Sequence, residues 1–129
     1  MLYVDKLSRT PIYEQIIQQV ELHIRLDEFT PENPLPSVRT LSASLGVNPN
    51  TLQKAYAELD RRGLTFSTPG SGRFVSEDAK ALLDARANTR LSAFSAMAGE
   101  LYQAGVSRTA LIESVDNAIA NSKTEDRHD

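Results

Sequence analysis

The part of the sequence that most constrains the fold runs from residue 35 to residue 75. Two short segments with helical spacing of apolar residues lie there, separated by Gly46. Glycine readily adopts the left-handed conformation that ends a helix, so Gly46 suits a tight turn between two helices. Ser37 and Asn48 stand where each helix would begin, and both residue types are favoured N-caps. The pattern predicts two helices joined by a three-residue turn, which is a helix-turn-helix.

A two-stranded hairpin is predicted directly after the second of these helices. Leu64 and Phe66 alternate along the first strand, Pro69-Gly70-Ser71-Gly72 forms the turn, and Arg73-Phe74-Val75 is the return strand. A hairpin of this size is not stable in isolation, so it must pack on the helices as a wing. The predicted fold class is therefore mainly α with a small β-hairpin. It comprises a winged helix-turn-helix domain over residues 1–76 and a helical segment over residues 77–129 that ends in a polar tail.

The segments on either side of the motif are predicted to be helical. Thr10-Pro11 predicts an N-cap and first residue for a helix over about 11–27. Residues 77–103 predict a longer helix, and Ser107 would cap a final one. Apolar residues in the long helix step by four and three, as in a coiled-coil seam. This seam is the predicted homodimer interface, with packing on the chain's own winged helix as the alternative: Leu83, Ala87, Leu91, Phe94, Ala98 and Leu101.

Composition excludes several functional classes. The chain has no Cys, and its two histidines, His23 and His128, lie far apart, so neither a metal site nor a cofactor is expected. No nucleophile–base pair or phosphate-binding loop is recognisable, so the chain is not predicted to be an enzyme. No apolar run reaches the roughly 20 residues of a membrane span. A soluble, cytoplasmic protein without a membrane partner is expected.

The distribution of charge favours a nucleic-acid partner although the net charge is −3. Residues 37–75 carry five basic and two acidic side chains, giving +3, whereas residues 1–36 and 76–129 each carry −3. Binding to phosphates requires a local basic surface rather than a basic protein. The basic block coincides with the predicted helix-turn-helix.

The polar residues at the start of the two short helices are the predicted DNA contacts, because the N-terminal part of a recognition helix meets the base edges. Asn and Gln can bind adenine through two hydrogen bonds, and Lys can bind guanine or a phosphate. For Ser37 and Asn48 helix capping is an additional role, and for Lys54 an ordinary solvated charge is the alternative. The predicted set is Ser37, Arg39, Asn48, Asn50, Thr51, Gln53, Lys54 and the wing residues Gly70, Ser71 and Gly72.

These motifs together resemble the winged-helix domain of GntR-type bacterial transcription regulators, in particular the short YtrA-type subfamily. The resemblance rests on PIYEQI at 11–16, LPSVR at 35–39, LGVNPNT at 45–51, KAY at 54–56 and GSGRFV at 70–75. It implies a homodimeric repressor of a palindromic double-stranded DNA operator, often controlling transporter genes. The family usually has Gly at the positions of Asp27 and Glu32. The DNA-contact positions that the resemblance implies are Ser37, Arg39, Asn48, Asn50, Thr51, Gln53 and Gly70.

Two further expectations concern partners. Any small-molecule effector is expected at the junction of the tail helices and the winged-helix domain, where it would change the separation of the two recognition helices. The alternative function is a winged helix that binds another protein; such a domain would show no salt-dependent affinity for DNA.

Overall fold

The computed structural model describes residues 2–126, with five helices and one hairpin. The predicted fold class is confirmed. None of the helices described is long and apolar enough to cross a membrane. In chain order the elements are α1 Ile12–Arg25, α2 Val38–Leu45, α3 Pro49–Arg61, β1 Thr65–Thr68, β2 Gly72–Val75, α4 Ala79–Gln103 and α5 Arg108–Asp126.

The core forms around the packing of α1 against α3. Ile16, Val20 and Ile24 recur every four residues and are fully buried, so one face of α1 lies against the interior. The predicted stripe of α3 is confirmed as the opposing surface, and it consists of Leu52, Ala55, Tyr56 and Leu59. Burial of these two faces fixes α3 between α1 and the wing.

The first helix begins differently from the prediction. Its N-cap is Pro11, which makes no side-chain capping bond, so the prediction of Thr10 as the cap is wrong. The Thr10 carbonyl instead accepts a hydrogen bond of 2.8 Å from the Gln15 side-chain amide. The helix also ends at Arg25 rather than near residue 27.

The caps predicted for the helix-turn-helix are confirmed. Ser37 Oγ accepts from the Thr40 N–H at 3.0 Å, and Asn48 Oδ1 accepts from the Asn50 N–H at 2.8 Å. Gly46 has φ +64°, the left-handed conformation that the turn requires. Both caps satisfy backbone donors that a helix start leaves without partners.

The wing is an antiparallel hairpin that pairs Thr65 with Val75 and Phe66 with Phe74. Thr65 and Val75 point into the core, whereas Phe66 is exposed and stacks on Phe74 with ring centroids 6.1 Å apart. The Leu35 N–H donates to the Arg73 carbonyl at 2.8 Å, so the segment before α2 adds a contact to the free edge of β2. The hairpin is thereby supported on both sides, as its small size requires.

The chain divides into two compact units, Met1–Ala85 and Arg86–Asp129. Leu83 is 1% exposed in the core of the first unit, so its assignment to a dimer seam is wrong. The second unit contains the rest of α4 and all of α5, joined through Gly105, with Ser107 Oγ capping α5 at the Ala110 N–H. The polar tail continues α5 to Asp126, and residues 127–129 lie outside the described part.

Asp27 has an unusual backbone conformation for a residue with a side chain. Its φ is +59°, the only positive φ outside glycine among the described residues. The resemblance placed a glycine at this position, and the structure supplies the reason, because glycine adopts positive φ without the steric cost of a Cβ. The Asp27 carboxylate pairs with Lys80 at 3.1 Å, so the side chain contributes an exposed ion pair. Glu32 has no such backbone requirement.

We expect the Asp27→Gly variant to be more stable than Asp27→Ala by about 1 kcal/mol, because only the alanine carries a Cβ into the left-handed region. Both variants lose the ion pair with Lys80, so the difference between their free energies of unfolding isolates the effect of the backbone conformation. Urea unfolding followed by circular dichroism measures it. Equal midpoints for the two variants would contradict a strained backbone at this turn.

Candidate nucleic-acid interface

The exposed side of α3 presents side chains that are free to bind a partner. Asn50 and Gln53 are exposed, and their side chains make no polar contact within residues 2–126. Thr51 lies half-buried between them. Because Leu52 and Ala55 hold the opposite face in the core, the start of α3 is rigidly presented outward. This is the arrangement that insertion of a helix into the major groove requires.

The start of α2 adds a cation beside a capped helix terminus. Arg39 is exposed, and within the described chain its guanidinium has no hydrogen bond or ion pair. Ser37 Oγ accepts from the Thr40 N–H and uses its single donor on Thr40 Oγ1 at 2.9 Å, which leaves one acceptor lone pair. Asn48 uses only its Oδ1 as a cap and keeps its amide N–H groups available. Capping is thus established for both, and DNA contact by either stays a prediction.

An open cleft of about 620 Å³ lies between the start of α2 and the wing. Ser37 lines one side, and the predicted wing contacts Gly70, Ser71 and Gly72 line the other. Gly70 has φ +78° with no atom within 4 Å of an added Cβ, so its glycine is needed for conformation rather than for space. The structure therefore brings two separately predicted groups of contact residues to one surface.

Tyr56 and Arg73 tie this surface together from inside. The buried Tyr56 hydroxyl donates to the Pro36 carbonyl at 2.7 Å, directly before α2. Burial raises the pKa of Tyr56 to about 12, and the nearby Arg73 opposes this shift. The Arg73 guanidinium lies 5.0 Å from the Tyr56 ring and donates to both Asp60 carboxylate oxygens at 3.0 and 3.1 Å. Arg73 is consequently a wing anchor.

Most cations of the basic block are occupied by acids of the same domain. Arg61 and Arg62 donate to Glu58, and these hydrogen bonds lower the pKa of that carboxyl to about 2. Arg62 also pairs with the nearly buried Glu21 of α1 at 3.0 Å. With Arg73 bound to Asp60, the block contributes Arg39 and Lys54 as the cations without an acidic partner among the described residues.

Lys54 points toward α1. Its ammonium lies 4.2 Å from the ring centroid of Tyr13, a cation–π distance. An ammonium has three donors, so a phosphate contact is compatible with this position. A base-edge contact would require the side chain to leave Tyr13. The prediction of a contact at Lys54 stands, with the phosphate as the partner that the geometry favours.

Two side-chain hydrogen bonds that shape the turn were not predicted from the sequence, although Ser42 was expected there as a small residue where the two helices cross closely. Ser42 Oγ donates to the Val47 carbonyl at 2.5 Å, so this residue closes the turn as well as being small. Lys6 Nζ donates to the Gly46 carbonyl at 3.0 Å from forty residues away. No local pattern identifies Lys6, because its partner is set by how the N-terminal arm folds back.

No group of three or more potential His, Cys, Asp or Glu ligands occurs in the part of the chain that the structure describes. The geometry defines the class of a winged helix-turn-helix, in which the start of the recognition helix is exposed and the wing shares a cleft with the start of α2.

Comparison with known proteins identifies the family. The model described as "Bacterial regulatory proteins, gntR family" matches residues 12–75. The HTH-type transcriptional repressor YtrA of Bacillus subtilis is 46% identical over 83 residues, which are 64% of this chain and 64% of that protein. The solved structure of YtrA from Sulfolobus acidocaldarius, a GntR-family transcription factor, is 35% identical with a TM-score of 0.55, covering 70% of this chain and 97% of that one.

A DNA-bound domain is also similar. The AraR DNA-binding domain, crystallised with operator ORX1, is 30% identical with a TM-score of 0.52, covering 58% of this chain and 93% of that one. The chain belongs to the GntR family of bacterial regulatory proteins, and the predicted resemblance is confirmed. The members of this family are transcription regulators rather than enzymes, in agreement with the sequence-based expectation.

We expect Tyr56→Phe to lower the free energy of unfolding by about 1 kcal/mol, because the Pro36 carbonyl loses its donor inside the protein. Tyr3→Phe is the matched control, since the exposed Tyr3 uses only its backbone in hydrogen bonds. Thermal or urea unfolding of both variants provides the comparison. A Tyr56→Phe variant as stable as the control would show that this hydroxyl does not hold the start of α2.

Proposed function

We propose that this protein is a transcription repressor that binds a double-stranded DNA operator through α2, α3 and the wing. The observation that carries the proposal is that Arg39, Asn50 and Gln53, near the starts of α2 and α3, are exposed and that their side chains make no polar contact within residues 2–126. It is supported by family membership, by the name of the Bacillus YtrA repressor and by the operator complex of the similar AraR domain.

The side chains have the chemistry to read bases. Arginine donates two hydrogen bonds to the major-groove edge of guanine, and Asn and Gln each pair with adenine as donor and acceptor. In the proposed complex Arg39, Asn50 and Gln53 supply these contacts, while Lys54 and the wing glycines meet the backbone. Phosphate contacts give affinity and the base contacts give specificity.

We expect Arg39→Ala and Asn50→Ala each to reduce operator affinity to the level of unrelated DNA, at least about 30-fold, because each bidentate pair contributes roughly 1–3 kcal/mol and a dimer loses two of them. Arg61→Ala is the control, an exposed arginine at the far end of α3. The probe is a duplex selected by the wild-type protein from a random DNA pool. Unchanged affinity of both variants in a gel-shift assay at physiological salt would exclude the proposed contacts.

A homodimer is proposed through the second compact unit. Its described part leaves a series of large apolar side chains exposed: Leu91, Phe94, Met97, Leu101, Tyr102, Ile112, Val115 and Ile119. Large exposed apolar patches on a protein surface usually mark interaction sites, which motivates the proposal. Of the predicted seam, Leu91, Phe94 and Leu101 are exposed and Ala87 and Ala98 are half-buried. A two-fold symmetric dimer also suits a palindromic operator with half-sites about 34 Å apart.

We expect Phe94→Glu to produce a monomer at micromolar concentration, because the dimer would bury an unpaired carboxylate. Operator affinity then falls, since one winged helix-turn-helix domain must bind its half-site without the second. Ala96→Glu is the matched control, because Ala96 is exposed on the same helix two residues after Phe94 and does not belong to the predicted seam. Sedimentation velocity measures the oligomeric state. A dimeric Phe94→Glu variant would place the interface elsewhere.

The regulated genes and any effector are the finer parts of the proposal. Control of transporter genes is tested by locating the selected operator in the genome that encodes this chain. A small-molecule effector that acts on the tail helices stays a prediction from the sequence. It is tested by whether a ligand that releases the operator protects residues 77–120 from hydrogen exchange.

A further inference from the structure

The N-terminal arm is a positioned element of the first compact unit. Leu2 is buried in the core, and Val4 packs against it. The Tyr3 N–H donates to Gln19 Oε1 at 2.7 Å, and the Asp5 N–H donates to Gln15 Oε1 at 2.8 Å. The arm is therefore held against α1 by both core packing and hydrogen bonds.

A single nearly buried glutamine closes the arm into a loop. Besides accepting from Asp5, the Gln15 side-chain amide donates to the Asp5 carbonyl at 2.9 Å and to the Thr10 carbonyl at 2.8 Å. Gln15 thus holds both ends of the segment over residues 5–10, which we name the arm loop. A loop fixed at both ends presents its side chains at defined places.

The arm loop carries two exposed cations, and one of them lies at the helix-turn-helix turn. Lys6 Nζ lies 3.0 Å from the Gly46 carbonyl, two residues before Asn48 at the start of the recognition helix. Arg9 is exposed and, within residues 2–126, makes no hydrogen bond or ion pair. Between them Leu7 is 96% exposed, so no other part of the described chain covers the loop.

The acidic side chains next to the arm loop form hydrogen bonds with groups other than Lys6 and Arg9, so both cations stay accessible. The Asp5 carboxylate accepts from the Leu7 N–H at 2.9 Å, and Glu14 accepts from the Tyr13 hydroxyl at 3.4 Å. Lys54 reaches the same end of α1, because its ammonium lies over Tyr13. The arginines at the end of α3 and in the wing are paired with acids, whereas Lys6, Arg9 and Lys54 have no acidic partner within residues 2–126.

We infer that the arm loop is a further DNA contact, in which Lys6 and Arg9 bind backbone phosphates beside the half-site read by α3. The inference rests on the proposed DNA-binding function and extends it to a segment outside the helix-turn-helix and the wing. Lys6 remains bonded to Gly46 and uses its other donors, since an ammonium has three. The loop contributes affinity without sequence preference, because phosphates carry no base information.

The test compares Lys6→Gln/Arg9→Gln with the wild type on two duplexes, the selected operator and an unrelated sequence of equal length. We expect affinity for both to fall by the same factor, roughly fivefold per lost phosphate contact at physiological salt. The slope of log affinity against log salt becomes shallower by about 0.9 per contact. Arg61→Gln/Lys80→Gln is the matched control, with the same change in net charge at exposed sites away from the turn.

Two single variants separate DNA contact from support of the turn. Arg9→Gln removes no hydrogen bond or ion pair within residues 2–126, so a lower affinity with a shallower salt dependence in this variant reports a phosphate contact alone. Lys6→Arg keeps a cationic donor and is expected to retain wild-type affinity on both duplexes.

The inference is overturned if the double variant matches the charge control, or if it loses only operator affinity with an unchanged salt slope. The second result would assign Lys6 to holding the turn. If the wild-type protein itself shows no salt-dependent binding to either duplex, the proposed function fails instead.

Discussion

The hydrogen bond from the buried Tyr56 hydroxyl to the Pro36 carbonyl connects the parts of the molecule that would meet DNA. Tyr56 belongs to the core face of α3, and Pro36 directly precedes the cap of α2. Arg73 extends the connection to the wing, because it lies over the Tyr56 ring and pairs with Asp60 of α3. The recognition helix, the start of α2 and the wing are consequently held in one arrangement before any ligand binds, which lowers the ordering cost of association.

The same contacts redistribute the charge of the domain. A sequence block of +3 suggests a uniformly basic surface, but the folded chain pairs Arg61 and Arg62 with Glu58, and Arg73 with Asp60. What remains at the start of α2 and α3 is a smaller set of cations, joined by Lys6 and Arg9 from the arm. Of the paired arginines, Arg62 ties α3 to α1 and Arg73 ties the wing to α3.

Features encoded within a few residues were predictable from the sequence. The caps at Ser37 and Asn48, the left-handed Gly46 and the core stripe of α3 were all predicted correctly, because each depends on local geometry or helical period. The failures involve longer range. The helix cap falls on Pro11 rather than on Thr10, whose carbonyl binds the Gln15 side chain, and Leu83 is core because the first turns of α4 pack on the winged helix.

The sequence by itself determined the winged helix-turn-helix, the family and the set of polar residues placed at the helix starts. Each of these follows from residue type at a fixed spacing. Only the tertiary structure decided which polar groups have free donors and acceptors. Arg39, Asn50 and Gln53 have them within residues 2–126, whereas Lys54 lies over the ring of Tyr13 and Arg73 is bound to Asp60. The physical reason is that a side chain's donors and acceptors are free or occupied according to contacts between distant segments, such as Lys6 with Gly46. Spacing along the chain does not encode those contacts.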